Sequence, residues 1–319
     1  MSVIEVHAPG LLTTVQDLGR DGFGSMGVSS SGAADPVALR IGNRLVGNAE
    51  TAAGLEMTLL GGTFAFPEGG AFALTGAEFG ATLDDQRVEM WTSFEVRPGQ
   101  TLRLGTARTG ARCYLCLQGG IDVRLFLGSS STHLLSGLGG LEGRALRKGD
   151  MLKTGRNGGS FRTFRKRKVL DRALEQLAPR KVLRVTAGPQ SEWFSEAAQK
   201  AFYGGTYRVA EESNRMGLRL EGGAIAASAG ADGGEMISEG VSLGAVQITA
   251  SGLPIILFVE QQTTGGYPKI ANVISADLSS LGQLRPRDEI RFAPVEMEAA
   301  RALLADQEKL LASKELTVG

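Results

Sequence analysis

L253-P-I-I-L-F-V-E-Q-Q-T-T-G-G-Y-P-K-I-A-N272 joins two kinds of chemistry in one short run. Residues 253–259 are apolar and rich in β-branched side chains, the composition of a buried strand. At Glu260 the run turns polar and brings together Thr263, Thr264, Gly265, Gly266, Tyr267 and Lys269. The glycine pair lets the backbone approach a ligand closely or take a positive φ at no steric cost. The hydroxyls, the phenol and the ammonium are neutral donors plus one cation, a set that suits an anionic or carbonyl-rich small molecule. The same residue types also build ordinary turns, which is the alternative reading of the loop.

Working outward, most of the chain repeats this strand-then-turn rhythm. From residue 54 to 110, short apolar segments (LEMTLL, GTFAF, AFALTG, ATLDD, SFEVRPGQTLRLG) alternate with Gly, Pro or Asp turns at all-β spacing. ARCYLCLQGGI continues the pattern, and a second β region runs from Val182 to Phe292. Glycine accounts for 45 of 319 residues, and with no low-complexity run it must serve turns. V96-R-P-G-Q-T-L-R-L, L146-R-K-G-D-M-L-K and L284-R-P-R-D-E-I-R-F resemble one another and point to internal duplication. The fold expected is mainly β (α+β), with two related β-barrel-like domains and a few peripheral helices. The boundaries expected are 1–161 for the first domain, 162–181 for a basic linker, 182–293 for the second, and 294–319 for a terminal helix and tail.

Three helices are expected. Asp35 is a good N-cap, Pro36 fits the first helical position, and Gly47-Asn48 supply the stop. Residues 191–203 place Trp193, Phe194, Ala197, Ala198 and Ala201 on one face, and residues 294–313 carry a leucine stripe.

Composition excludes several functions. Lys plus Arg and Asp plus Glu both number 34, so no global field favours nucleic acid or a membrane surface. The basic run Arg162, Arg165, Lys166, Arg167 and Lys168 has little aromatic interleaving and reads as a connection. No signal peptide and no spanning segment are apparent, so a cytoplasmic protein is expected. Cys113 and Cys116 lie three apart in a strand, on opposite faces, which makes them core residues. With two histidines in the chain, no metal site and no His-based triad are expected. Gly22-Phe-Gly24-Ser-Met-Gly27 matches the dinucleotide fingerprint in letters only, because no helix opens at its last glycine. No Walker-type loop occurs. Chemistry must therefore rest on carboxylates, Arg, Lys, Tyr, hydroxyls and backbone amides. Beside the loop quoted first, two polar clusters interrupt the strands: Gln16, Asp17 and Arg20 with Ser31 and Asp35, and Ser213-Asn214-Arg215.

These segments carry a family likeness. G10-L-L-T-T-V-Q-D-L-G-R20, G27-V-S-S-S-G-A-A-D35, L55-E-M-T-L-L-G-G-T63, L74-T-G-A77, G119-G-I-D-V123, G188-P-Q190, S213-N-R-M-G-L-R-L220 and Q262-T-T-G-G-Y-P-K269 run in order through nearly the whole chain. On them the chain resembles the allophanate hydrolase subunit 2 family and one half of the carboxyltransferase region of urea carboxylase. The resemblance implies cyclophilin-like barrel subdomains, a subunit 1-type partner (the B-type component of 5-oxoprolinase) and a third subunit. It also implies a hydrolytic role, inactive alone, in ATP-dependent opening of 5-oxoproline to L-glutamate, with ATP required at the level of the complex. The implied alternatives are a biotin-dependent carboxyltransferase component acting on urea or another amide, and a non-enzymatic regulatory binding protein. For a lactam or amide substrate, the catalytic candidates are Asp17, Asp35, Thr264, Tyr267 and Lys269. The substrate-binding candidates are Gln16, Arg20, Ser31, Asn214, Arg215 and Thr263. The sequence departs from the family pattern at Ser130, where an arginine is expected, and at Glu260-Gln261, where an acidic-basic pair is usual.

Overall fold

A computed structural model describes residues 2–155, 164–226 and 236–318. The chain forms two compact units: Met1–Arg20, Ser31–Leu177 and Leu310–Gly319 make the first, and Asp21–Ser30 with Ala178–Lys309 the second.

The first unit stacks two sheets on one core. A six-stranded sheet runs Met151–Lys153, Val3–Ala8, Thr63–Phe66, Gln100–Arg103, Thr82–Leu83, Gln86–Arg87. A seven-stranded sheet runs Leu12–Gln16, Gly54–Thr58, Arg112–Leu117, Gly70–Gly76, Thr92–Val96, Lys168–Val169, Thr317–Val318. The period-2 alternation of Arg112–Leu117 shows how that second sheet is buried on both faces. Cys113, Leu115 and Leu117 join Phe64, Phe72 and Leu102 in the core between the sheets. Tyr114 and Cys116 point the other way, onto Leu39, Ile41 and Leu45 of the helix Pro36–Val46. The two cysteines therefore sit in different clusters, as their spacing predicts. Burial pushes both thiols well above their ordinary range, so neither is a ready nucleophile.

The helix begins and ends where its caps dictate. Asp35 accepts a hydrogen bond from the Ala38 N–H at 2.9 Å, Pro36 opens the first turn, and Gly47 closes it in the left-handed region at φ 79°. Burying Leu39, Ile41 and Leu45 contributes about 1.5–3 kcal/mol each, so this apolar face, more than helix propensity, keeps the segment folded.

The second unit closes. Its barrel runs Val182–Ala187, Lys269–Val273, Ala245–Ile248, Pro254–Leu257, Gly217–Glu221, Tyr207–Val209, Glu289–Pro294 and returns to Val182–Ala187 through a parallel pairing. A two-stranded ribbon, Glu239–Gly240 with Thr264–Gly265, stands apart from the barrel ladder. Closure leaves the barrel ladder itself without a free edge. The terminal helix is Met297–Ala312.

The similar closing segments form the same turn three times. In 97–100, 147–150 and 285–288, the fourth residue's N–H donates to the first residue's carbonyl at 3.2, 3.2 and 3.1 Å. The side chains of Gln100, Asp150 and Asp288 in turn accept from the N–H of Arg97, Arg147 and Arg285 at 2.8, 2.7 and 2.8 Å. The third position is left-handed each time: Gly99 at φ 85°, Gly149 at φ 89° and Arg287 at φ 72°.

Some expectations need adjusting. Of the stretch read as a linker, Arg162 lies outside the described residues. Lys168–Val169 is a strand of the first unit, and Asp171–Gln176 is a helix of that unit. Leu310–Gly319 belongs to the first unit, where Thr317–Val318 pairs with Lys168–Val169. The helix expected over 191–203 starts later, at Glu196, because Ser195 takes the N-cap and accepts from the Ala198 N–H at 3.2 Å. Trp193 thus lies in a separate single turn, Ser191–Trp193. No helix among the described residues is long and apolar enough to cross a membrane.

Candidate functional site

Two polar clusters are built, each inside one unit. In the first unit, the strand Leu12–Gln16 delivers Gln16 and Asp17 to the segment 129–132. The buried Gln16 amide donates to Thr14 Oγ1 and to the Thr132 carbonyl, both at 3.0 Å. The Ser31 hydroxyl donates to the same carbonyl at 2.8 Å. Asp17 accepts from the N–H groups of Gly19 (2.8 Å) and Ser130 (2.6 Å), and from the hydroxyls of Ser129 (2.7 Å) and Ser131. Arg20 donates to the Ser131 carbonyl, with its guanidinium carbon 5.4 Å from the Phe126 ring centroid. Gln16, Asp17, Arg20 and Ser31 therefore converge on one loop, and Ser130 serves it through its backbone.

Asp35 stands in a separate network at the N-terminus of the helix Pro36–Val46. Its N–H donates to the Tyr114 hydroxyl at 2.7 Å, and that hydroxyl donates to Glu56 Oε2 at 2.7 Å. The Ala34 N–H reaches the same oxygen at 2.8 Å, and Arg112 Nε lies 3.6 Å from Glu56 Oε1. Burial, reinforced by the Glu56 and Asp35 charges, pushes the Tyr114 phenol well above its ordinary range. Sequence reading did not single out Glu56, Tyr114 or Arg112. The available signal was period 2, since Thr14, Glu56, Tyr114 and Thr75 lie directly opposite one another across four strands.

In the second unit, Arg215 and Glu260 form a buried pair. Arg215 Nε donates to Glu260 Oε1, and the Glu260 N–H donates back to the Arg215 carbonyl at 2.8 Å. Asn214 is exposed, and its Oδ1 accepts from the Met216 N–H at 2.8 Å in a local turn. The opening loop folds as the ribbon: Thr264 pairs with Gly240, Gly265 pairs with Glu239, and the Thr263 carbonyl accepts from the Val241 N–H at 3.2 Å. Thr264 is exposed and Tyr267 is 42% exposed.

Lys269 is the buried cation of this loop. Its Nζ lies 2.7 Å from Glu239 Oε1, which also accepts from Gln190 Nε2 at 2.8 Å. Gln190 Oε1 accepts from the Lys269 N–H at 3.2 Å. The hydrogen bond from Lys269, then that from Gln190, holds the Glu239 carboxyl below its usual range. Gln190 and Glu239 are partners that sequence reading did not assign. An ammonium fixed by one carboxylate, beside hydroxyls and a phenol, can hold and polarise a carbonyl oxygen.

Known proteins share this architecture. Residues 26–294 match the family model of the carboxyltransferase domain, subdomain A and B. The chain is 40% identical over 310 residues to the C-type subunit of 5-oxoprolinase from Escherichia coli, covering 96% of each chain. It is 39% identical to the C-type subunit of 5-oxoprolinase from Haemophilus influenzae, covering 91% of this chain and 90% of that one. The crystal structure of the K. lactis urea amidolyase superposes with a TM-score of 0.89 at 32% identity, over 97% of this chain and 20% of that much longer one.

Proposed function

Because the chain belongs to the carboxyltransferase-domain family, subdomains A and B, we propose that it is the C-type subunit of a multi-component 5-oxoprolinase. The observation that carries this reading is 40% identity spread over 96% of both chains, shared with the C-type 5-oxoprolinase subunit from Escherichia coli. The proposed partners are a subunit 1-type protein and a third subunit, and the proposed reaction is ATP-dependent opening of 5-oxoproline to L-glutamate.

A lactam carbonyl is a poor electrophile, so donors must hold the charge that develops on its oxygen. Lys269 and Tyr267, with the hydroxyls of Thr263 and Thr264, are the proposed donors. Asp17, with four donors on its carboxylate, acts by holding its loop, and Asp35 acts by capping its helix. Arg215 and Glu260 brace the strand ends from which the loop departs. The cations of this cluster do not fit a nucleoside triphosphate: Arg215 is committed to Glu260 and Lys269 to Glu239. ATP is therefore assigned to the complex and not to this cluster.

The test is reconstitution of the chain with its subunit 1-type partner and the third subunit. Glutamate formation from 5-oxoproline, dependent on ATP and on all components, is the expected result. No turnover by a stably assembled complex would overturn the reading. The likeness to urea amidolyase supports one alternative, a biotin-dependent carboxyltransferase component, whose signature is carboxyl transfer from a carboxylated biotin carrier to urea or a related amide.

A further inference from the structure

Gln247 sits in the barrel strand Ala245–Ile248 and is 1% exposed. Its amide nitrogen Nε2 is buried and has no hydrogen-bond partner among the described residues. Buried polar groups are almost always satisfied, and an unmade bond of this kind destabilises a fold, so the exception calls for a cause. Gln247 is the register partner of Lys269, which places the two side chains on the same face of the barrel wall. The ribbon covers that face. A Cβ placed on Gly265 would stand 2.5 Å from Gln247 Nε2 and 3.0 Å from Gln262 Nε2, so the ribbon backbone lies directly against the Gln247 amide. Gln261 Oε1, an acceptor in the same segment, is likewise buried and without a partner among the described residues. The ribbon's own pairing is two residues per strand, Glu239–Gly240 against Thr264–Gly265, a short ladder that opens at small cost.

We propose that Gln247 is a further substrate-contacting residue: when the Thr264–Gly265 strand lifts off Glu239–Gly240, the Gln247 carboxamide N–H joins the Lys269 ammonium, still held by Glu239, on a carbonyl or carboxylate oxygen of a small amide. This rests on the 5-oxoprolinase reading for the identity of the amide, though not for the existence of the contact. A neutral N–H beside an ammonium fits one oxygen of a planar amide or carboxylate better than a multiply charged anion, because Glu239 already balances the lysine.

The test compares the wild-type chain with Gln247→Met, which keeps the shape of the side chain and removes the unsatisfied donor, and with Gln247→Glu, which keeps the shape and replaces the N–H by an acceptor. In the reconstituted complex, both variants are expected to raise KM for 5-oxoproline at least about ten-fold, with kcat changed far less. Gln247→Met is also expected to raise Tm, a stability gain that a purely structural glutamine would not combine with loss of binding. An unchanged KM in both variants overturns the proposal. If the wild-type complex does not turn over 5-oxoproline, the functional reading fails alone, and thermal shifts of the full chain with 5-oxoproline and with urea decide this inference. A shift present in wild type and lost in both variants sustains it. Equal shifts in all three proteins, or none in any, overturn it.

Discussion

The Asp17 carboxylate of the first unit and the Gln247 amide nitrogen of the second are both buried polar groups, and they end in opposite states. Around Asp17, one carboxylate meets two backbone N–H groups and two hydroxyls. Around Lys269, the ammonium shares a half-exposed Glu239 with Gln190, while the adjacent Gln247 Nε2 and Gln261 Oε1 have no hydrogen-bond partner among the described residues. A saturated carboxylate is committed to structure, since the buried donors it would release on reacting are left unmatched. An unsaturated donor set retains capacity for a ligand. The difference teaches that residue type nominates a site, and hydrogen-bond saturation decides whether it is free to act.

The largest expected effect tests the saturated side. Asp17→Ala strands two N–H groups and two hydroxyls, and should cost about 3–4 kcal/mol in urea unfolding. A cost below about 1 kcal/mol would mean that the carboxylate is free for chemistry after all. Lys269→Met addresses the other cluster: the assembled complex should lose about 10²-fold in kcat, equivalent to about 2.7 kcal/mol, with a smaller change in unfolding. If unfolding moves and turnover does not, the loop is structural.

The repeated turn allows a finer comparison. Asp150 is gripped by Arg144 at 2.8 and 3.0 Å as well as by its own turn, whereas Gln100 is neutral in the matching position. The Arg144 hydrogen bonds hold the Asp150 carboxyl below its usual range. Because the folded value is depressed, its contribution is full above the unfolded value near pH 4 and fades as pH falls through the lower folded value. Asp150→Ala should cost about 1–2 kcal/mol at neutral pH, and less in acid. Gln100→Ala should cost less and show a weaker acid dependence, because Gln100 carries no charge of its own and reaches the exposed Asp84 through one donated bond; an acid dependence as large as that of Asp150→Ala would refute the assignment. The smallest effect is expected at Arg287, a left-handed residue where its two counterparts are glycine. Arg287→Gly should stabilise by about 0.5–1 kcal/mol, net of glycine's entropy and of an exposed pair with Glu211, as read from Tm.

Much of this was legible before the structure. The Asp35 cap, the opposed cysteines and the three related turns each depend on a few neighbouring residues, so local pattern is enough to find them. The convergence of Gln16, Asp17, Arg20 and Ser31 on residues 129–132 was only half legible: one strand end announced the donors, but the loop they meet lies more than a hundred residues on. Glu56 and Gln247 were missed because each is a single polar letter inside an apolar strand. Alternation tells which face such a residue takes, but not what lies above that face.

Sequence by itself determined that this is a mainly β chain with capped helices, a recurring turn and a family-specific loop, because those features are set by period, by φ preference and by side chains acting on their own backbone. Only the tertiary structure decided which polar groups were already satisfied. The Arg215–Glu260 pair, the four donors on Asp17 and the Gln247 Nε2 left without a partner among the described residues depend on strands brought together by barrel closure and sheet packing. Whether a buried donor meets an acceptor is a question of a few tenths of an ångström between distant segments, and no local pattern encodes that distance.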